Sequence, residues 1–115
     1  MRYYARVTEV VDNDTLRLEI DTGLDVSVNM TCELHGVKVN ESGAGVVAGL
    51  LNQAAWDCKV TTVRDKREVY GRFKVKLYVP QMTEDDPNDA HGGLMYVNKY
   101  LIDHGYAEPV DGEEL

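Results

Sequence analysis

The sequence Asp12-Asn13-Asp14-Thr15 places two carboxylates where one β-strand pattern ends and another begins. Asn13 tolerates the left-handed backbone that tight turns between strands often need, and Thr15 can re-enter the sheet. Taken alone, such a tetrapeptide is typical of a solvated β-turn. Whether these carboxylates do chemistry therefore depends on the residues that the fold brings near them.

Acidic residues dominate the charge of the chain. Its 115 residues include 20 Asp and Glu against 12 Lys and Arg, which gives a formal net charge of −8. Because proteins bind nucleic acid largely through clustered Lys and Arg, this charge disfavours a nucleic-acid partner. One basic cluster is a candidate for such contacts, or else a solvated hairpin, and consists of Arg64, Lys66, Arg67, Arg72, Lys74 and Lys76.

The cysteine content and the apolar runs indicate the cellular setting. Cys32 and Cys58 have no metal-ligand spacing and are expected to be reduced, buried thiols. No apolar run approaches membrane-spanning length, and no signal peptide is recognisable. We therefore expect a cytoplasmic protein that does not engage a membrane.

Alternation of apolar and polar residues predicts five strands, and the third strand has the cleanest pattern. Every second residue from Leu24 to Leu34 is apolar, so these residues are expected to face the core. The predicted strands are residues 3–11, 15–20, 24–35, 57–64 and 72–79.

Two helices are expected from apolar residues spaced three and four apart. The first covers about 46–55, with Ser42 as its N-cap. The second carries Leu94, Val97 and Leu101 on one face and ends at Gly105.

The resulting order, β-β-β-α-β-β-α, predicts a β-rich α+β fold built on a five-stranded OB-type barrel with two to three helices. We expect one domain over residues 1–109, followed by an acidic tail, residues 110–115, that frays. Residues 81–93 are expected to form a solvated acidic loop.

In four segments the chain resembles the staphylococcal nuclease-like domains. These are Val-Val-Asp-Asn-Asp-Thr-Leu at 10–16, Gly-Val-Lys-Val-Asn-Glu at 36–41, Tyr-Gly-Arg at 70–72 and Val-Asn-Lys-Tyr-Leu-Ile-Asp-His-Gly-Tyr-Ala at 97–107. The resemblance spans nearly the whole chain. It implies an OB barrel with a calcium-dependent active site near the ends of the first and third strands.

Three positions of the implied active site are retained. By resemblance, Asp14 matches a calcium-binding aspartate, Glu41 the glutamate that activates the attacking water, and Arg72 an arginine that binds phosphate. Oxygen ligands suit a hard cation, and a guanidinium matches phosphate oxygens. Tyr70, beside Arg72, is a weaker candidate for substrate binding.

Two positions depart from the pattern. Glu33 stands where the family has a phosphate-binding arginine, and Lys38 stands where it has a second calcium-binding aspartate. Loss of one group that stabilises transition-state charge commonly slows a reaction by about a hundred- to a thousandfold. The remaining charges of Asp14, Glu33, Lys38, Glu41 and Arg72 could neutralise one another as ion pairs.

Three functions are consistent with this sequence. The favoured hypothesis is a catalytically impaired module that needs no cofactor and binds a protein partner. The alternative is an active or weakened metal-dependent phosphodiester hydrolase, in which Asp14 and Glu41 serve a calcium ion, Arg72 holds phosphate and Lys38 supplies positive charge. The second alternative is a non-catalytic binder of single-stranded nucleic acid that uses the basic cluster.

Overall fold

The computed structural model describes residues 2–64, 73–80, 93–113 and 115 of the chain. Two helices and eight strands lie within these residues, three of the strands being only three residues long. In chain order they are β1 (Tyr3–Asp12), β2 (Thr15–Gly23), β3 (Val26–Leu34), β4 (Val37–Val39), α1 (Val46–Gln53), β5 (Asp57–Arg64), β6 (Phe73–Pro80), β7 (Leu94–Tyr96), α2 (Val97–Asp103) and β8 (Ala107–Pro109).

Five of the strands form a closed barrel. They are hydrogen-bonded in the order β3-β2-β1-β5-β6, and the barrel closes where β3 pairs with β6. This closing pair is parallel, with Cys32 opposite Phe73 and Leu34 opposite Val75, while the other barrel pairs are antiparallel. The fold class predicted from the sequence, a β-rich α+β fold on an OB-type barrel, is confirmed.

The core consists of the inward residues of the barrel strands and the apolar faces of the helices. Leu16 and Leu18 of β2 are fully buried, as are Val75 and Leu77 of β6 and Leu101 of α2. Since successive side chains of a strand point to opposite faces, the polar residues between them stay outside. The period of two in the sequence therefore identified the buried face of β2 correctly, whereas Tyr78 of β6, predicted to face outward, is buried.

The prediction for the third strand is wrong in its first half. Cys32 and Leu34 are buried, but Leu24 is 98% exposed, Val26 54% and Val28 42%. Within the described strands, β3 pairs with β6 only from Cys32 onward, whereas its pairing with β2 continues to Val26. The β2–β3 hairpin thus extends past the place where the barrel closes, and its apolar residues there have little to pack against.

The turn of this hairpin also places a leucine in an unfavourable backbone conformation. Leu24 and Asp25 both have positive φ, +54° and +60°, between the paired residues Gly23 and Val26. Two-residue hairpin turns of this kind favour Asn-Gly, because left-handed backbone costs a residue such as Leu about 1–2 kcal/mol. The exposed Leu24 side chain gains no burial that would offset this cost.

The first helix begins at Val46, as predicted, but its N-cap is Gly45. Ser42 lies instead in a 3₁₀ turn, Glu41–Gly43, whose N-cap is Asn40. The start of α2 differs from the prediction, because Leu94 belongs to β7 and pairs with Pro80 of β6, so α2 begins at Val97.

Two glycines near α2 have different roles, one at a close approach of two backbones and one at a helix end with positive φ. At Gly43 a Cβ would overlap the Tyr106 carbonyl oxygen, so this position accepts only glycine without a backbone shift. Gly105 ends α2 as predicted: the Gly105 amide donates to the Ile102 carbonyl and the Tyr106 amide to the Leu101 carbonyl. This pair of bonds satisfies carbonyls that the helix end leaves open.

The fully buried Asn98 joins α2 to the barrel at its closure. Its Nδ2 donates to the carbonyl oxygens of His35, at 2.8 Å, and Val75, at 3.1 Å. Its Oδ1 accepts from the Leu77 amide at 2.9 Å. One side chain therefore satisfies three backbone groups that water cannot reach.

The C-terminal segment that the sequence predicts to fray is held against the barrel at Val110 and Glu113. The Val110 amide donates to the Gly36 carbonyl at 3.0 Å. The Glu113 carboxylate forms an ion pair with Lys74 of β6, and its Oε1 lies 3.6 Å from Nδ1 of the buried His35. The expectation of fraying is therefore wrong for these two residues.

We expect Asn98→Ala to destabilise the fold by about 3 kcal/mol or more. The substitution removes the partner of the His35 carbonyl and of the Leu77 amide in the core, and each such group costs roughly 1–3 kcal/mol. The Val75 carbonyl keeps its hydrogen bond from the His35 amide. Urea unfolding measures the effect. The matched control is Lys99→Ala, at an exposed position of the same helix, which should change stability by less than about 0.5 kcal/mol. Similar effects of the two substitutions would contradict the role of Asn98.

We expect Leu24→Asn to stabilise the protein by about 0.5–1 kcal/mol, because Asn accepts left-handed backbone far better than Leu. Leu24→Ala removes the same exposed side chain but keeps an unfavourable residue in the turn, so it should give no comparable gain. Urea unfolding of the two variants separates these effects. A loss of stability in Leu24→Asn would show that the leucine contributes to folding after all.

Candidate functional site

Asp14 lies in the β1–β2 turn and is tied to the end of β3. Its carbonyl oxygen accepts a hydrogen bond from the Leu34 amide at 2.8 Å. Its half-buried carboxylate lies 3.3 Å from the Thr15 hydroxyl, which donates to Oδ1. The turn that the sequence singled out is therefore fixed against the third strand, as a site at this end of the barrel requires.

Glu33 lies next to Asp14 in the sheet. It is half-buried, and it stands opposite Thr15 of β2 and opposite Lys74 of β6. Because Cβ atoms of directly opposite residues are about 5 Å apart, these three positions form one outward row across the barrel closure. Glu33 thus stands opposite the residue that follows Asp14, and Lys74 is a cationic neighbour of Glu33 among the described residues.

Lys38 and Glu41 follow the end of β3, on β4 and on the turn after it. Lys38 is exposed on β4 and stands opposite Glu108 in the two-stranded sheet that β4 forms with β8. Glu41 is exposed at the start of the 3₁₀ turn that follows β4. No ion pair connects Asp14, Lys38 and Glu41 with one another in the part of the chain that the structure describes.

Several predicted residues lie outside the described ranges. They include Tyr70, Arg72 and residues 81–92 of the acidic loop. Of the basic cluster, the described side chains are those of Lys74 and Lys76, and Lys74 is paired with Glu113. The roles predicted for Tyr70 and Arg72 stay predictions.

A calcium ion at Asp14 would need several further oxygen ligands. Calcium takes six to eight oxygen ligands, whereas the described residues hold no group of three or more Asp, Glu, His or Cys placed to share a metal ion. Lys38 stands where the resemblance implies a further carboxylate. A calcium site at Asp14 remains a prediction that would need ligands from elsewhere.

Sequence reasoning missed the cluster formed by His35, Lys74 and Glu113. The Glu113 carboxylate reaches both other residues across the barrel closure. Its sequence signal was weak, since an acidic residue near a chain end usually lies in solvent. In this cluster the Glu113 carboxylate neutralises Lys74, which stands opposite Glu33 in the sheet.

A second missed feature is a set of stacked rings at the end of α2. The rings of Tyr100 and His104 stack with centroids 4.0 Å apart, and the Tyr106 ring lies parallel to His104 at 6.1 Å. The four-residue spacing of Tyr100 and His104 on a helix was available as a signal. Nδ1 of His104 lies 3.0 Å from the Tyr100 carbonyl oxygen, so the ring is oriented by its own helix.

The two cysteines are buried as predicted and are poorly suited to catalysis. Burial raises the pKa of Cys32 to about 11. Burial, followed by the nearby charge of Asp57, raises the pKa of Cys58 to about 12. Reactive cysteines have lowered pKa values and solvent access, so both thiols act as core residues.

Neither helix in the described residues has the length and apolar character needed to span a membrane. In comparisons with known proteins, no family model and no curated protein matched this chain.

We expect stability to fall as the pH rises from 9 towards 11. The folded state keeps Cys32 and Cys58 protonated up to about pH 11 and 12, whereas the thiols of the unfolded chain have the ordinary pKa of 9.0. The unfolded state therefore binds fewer protons above pH 9, and alkaline pH favours unfolding. Urea unfolding at a series of pH values measures this loss.

The control is a Cys32→Ala, Cys58→Ala double variant, which should lose the part of the pH dependence that the thiols cause.

A second measurement is the reaction of the thiols with a colorimetric disulfide reagent at pH 8. It should be slow in the folded protein and immediate in guanidinium. Rapid labelling of the folded protein would contradict the burial of these thiols.

Proposed function

We propose that this chain is a catalytically impaired, nuclease-like OB barrel that binds a protein partner. Its likeness to staphylococcal nuclease-like domains is part of the proposal. It is supported by the four sequence segments, by the OB-type barrel and by the position of Asp14 between β1 and β2, next to the end of β3.

The observation that carries the proposal is the pairing of Glu33 with Thr15, beside Asp14. Hydrolysis of a phosphodiester needs positive charge where the phosphate oxygens develop negative charge. Here a carboxylate occupies the strand position from which the family presents an arginine. Lys74, the cation next to it in the sheet, is already paired with Glu113.

The position of Lys38 supports the same conclusion. Its neighbour across the β4–β8 sheet is Glu108, an acidic residue other than Asp14 and Glu41. An ammonium group cannot ligate calcium, and it disfavours a cation nearby. Both departures act against the same step, which is binding of metal and phosphate at one end of the barrel.

The surface supports a protein partner over nucleic acid. The net charge of −8 repels phosphates and favours partners with positive charge. Exposed apolar side chains, Tyr4, Leu24 and Val26 among them, offer the contacts that protein interfaces bury.

We expect no hydrolysis of fluorescently labelled single-stranded DNA in 10 mM calcium above the level of a buffer control. The physical reason is the missing positive charge at Glu33 and the missing ligand at Lys38. The comparison is Glu41→Gln, which removes the general base of the alternative mechanism. Hydrolysis by the wild type that is lost in Glu41→Gln would overturn the proposal and favour the nuclease.

Calcium itself provides a second measurement of the same proposal. A ligand that binds the folded state must raise the melting temperature. We expect 10 mM calcium to leave the melting temperature unchanged in both wild type and Asp14→Asn. A rise in the wild type that Asp14→Asn abolishes would establish a working metal site.

A further inference from the structure

An apolar hairpin tip and a negatively charged groove meet at the end of the barrel opposite Asp14. Leu24, at the tip of the β2–β3 hairpin, is almost completely exposed, and Val26 beside it is more than half exposed. Tyr4 of β1, which is 67% exposed, lies in the groove with Val26. Exposed apolar residues grouped in this way are typical of interaction sites.

The groove, about 470 Å³ in volume, lies between the hairpin tip and the outer faces of β1 and β2. Its lining includes four carboxylates, of Glu19, Asp21, Asp25 and Asp57, against a single guanidinium, that of Arg6. Arg6 stands opposite Glu19 on one side and opposite Asp57 on the other. Its charge is therefore shared between two acids, and the groove keeps an excess of negative charge.

A second groove, of about 590 Å³, continues along the outer face of β1 towards α1. It shares Arg6 and Glu19 with the first groove and ends at Ala48 and Trp56. The two grooves thus give an elongated surface, with apolar residues at both ends and carboxylates between them.

Folding does not account for the residues of the tip. Leu24 is in a backbone conformation that other residues adopt more easily, and its side chain packs against almost nothing. A residue that violates local preferences without a gain in packing is expected at functional positions.

We propose that this hairpin tip and groove bind a basic, extended segment of a partner protein. Apolar side chains of the partner contact Leu24, Val26 and Tyr4, and its Lys or Arg side chains pair with Glu19, Asp21 and Asp25. This inference rests on the proposed protein-binding function and names its surface and the chemistry of its partner.

The charge of the groove selects this occupant. The excess of carboxylates in the groove would repel the phosphates of nucleic acid. It would also repel the same acidic surface of a second copy of the chain. A basic segment instead gains both complementary charge and burial of the apolar tip. Charge complementarity of this kind increases the rate and the specificity of association.

The proposed surface is independent of the nuclease-like site. Asp14 and Leu24 lie at opposite ends of β2, which has nine residues, so about 30 Å of strand separates them. Substitutions at one end can therefore test one proposal without altering the other.

The test is selection from a phage-displayed library of random 12-residue peptides on immobilised wild-type protein at low salt. We expect enriched peptides to combine Lys or Arg with apolar residues. A synthetic copy of an enriched peptide should bind at least tenfold more weakly to Leu24→Asn and to the Asp21→Asn, Asp25→Asn double variant. Fluorescence anisotropy of the labelled peptide measures these dissociation constants.

Matched controls are Val11→Ser, an exposed apolar residue at the Asp14 end, and Asp103→Asn, an exposed carboxylate of α2. Both should bind the peptide as tightly as the wild type. The Leu24→Asn protein remains informative because its turn is expected to fold at least as well as the wild-type turn.

Three outcomes would overturn the proposal. One is enrichment of peptides without basic residues, and another is equal binding to wild type and Leu24→Asn; both leave a protein-binding function elsewhere on the barrel intact. The third is that Leu24→Asn keeps peptide binding but loses another interaction of the wild type. That interaction would be binding of a 20-nucleotide oligothymidylate, or self-association measured by sedimentation. DNA hydrolysis that depends on Glu41 would instead overturn the proposed function itself, whatever the hairpin binds.

Discussion

The buried amide of Asn98 fixes the place where the barrel closes. Within the described residues, parallel pairing of β3 with β6 covers three residues on each strand, and a pairing this short contributes few hydrogen bonds of its own. Asn98 adds bonds to both sides of the closure, at His35 and at Val75 and Leu77, and connects them to α2. The outward row that holds Glu33 and Lys74 exists because the two strands are held together here.

Closure at this point also gives the two ends of β2 different surroundings. At the Asp14 end, neighbouring strands surround the turn, and charged groups are close enough to neutralise one another. At the Leu24 end the hairpin has passed the last residue that β6 pairs with in the described structure, so its side chains face solvent. The position of the barrel closure thus separates a partly shielded, charged site from an exposed surface with apolar and acidic residues.

Net negative charge acts differently at these two ends. Beside Asp14, a carboxylate at position 33 opposes the binding of phosphate, which is the substrate group that the sequence resemblance implies. In the groove at the other end, excess negative charge favours partners that carry Lys or Arg. Both effects underlie the proposal that this acidic barrel binds a protein partner.

The sequence by itself determined the positions of the five barrel strands, the fold class and the turn that carries Asp14. A strand's buried face has a period of two that local sequence records directly, so the alternation alone assigns Leu16, Leu18 and Val75 to the core. The sequence did not determine the exposure of Leu24 or the pairing of Glu113 with Lys74. Only the tertiary structure decided these, because they depend on where distant strands stop pairing and on which separated segments meet.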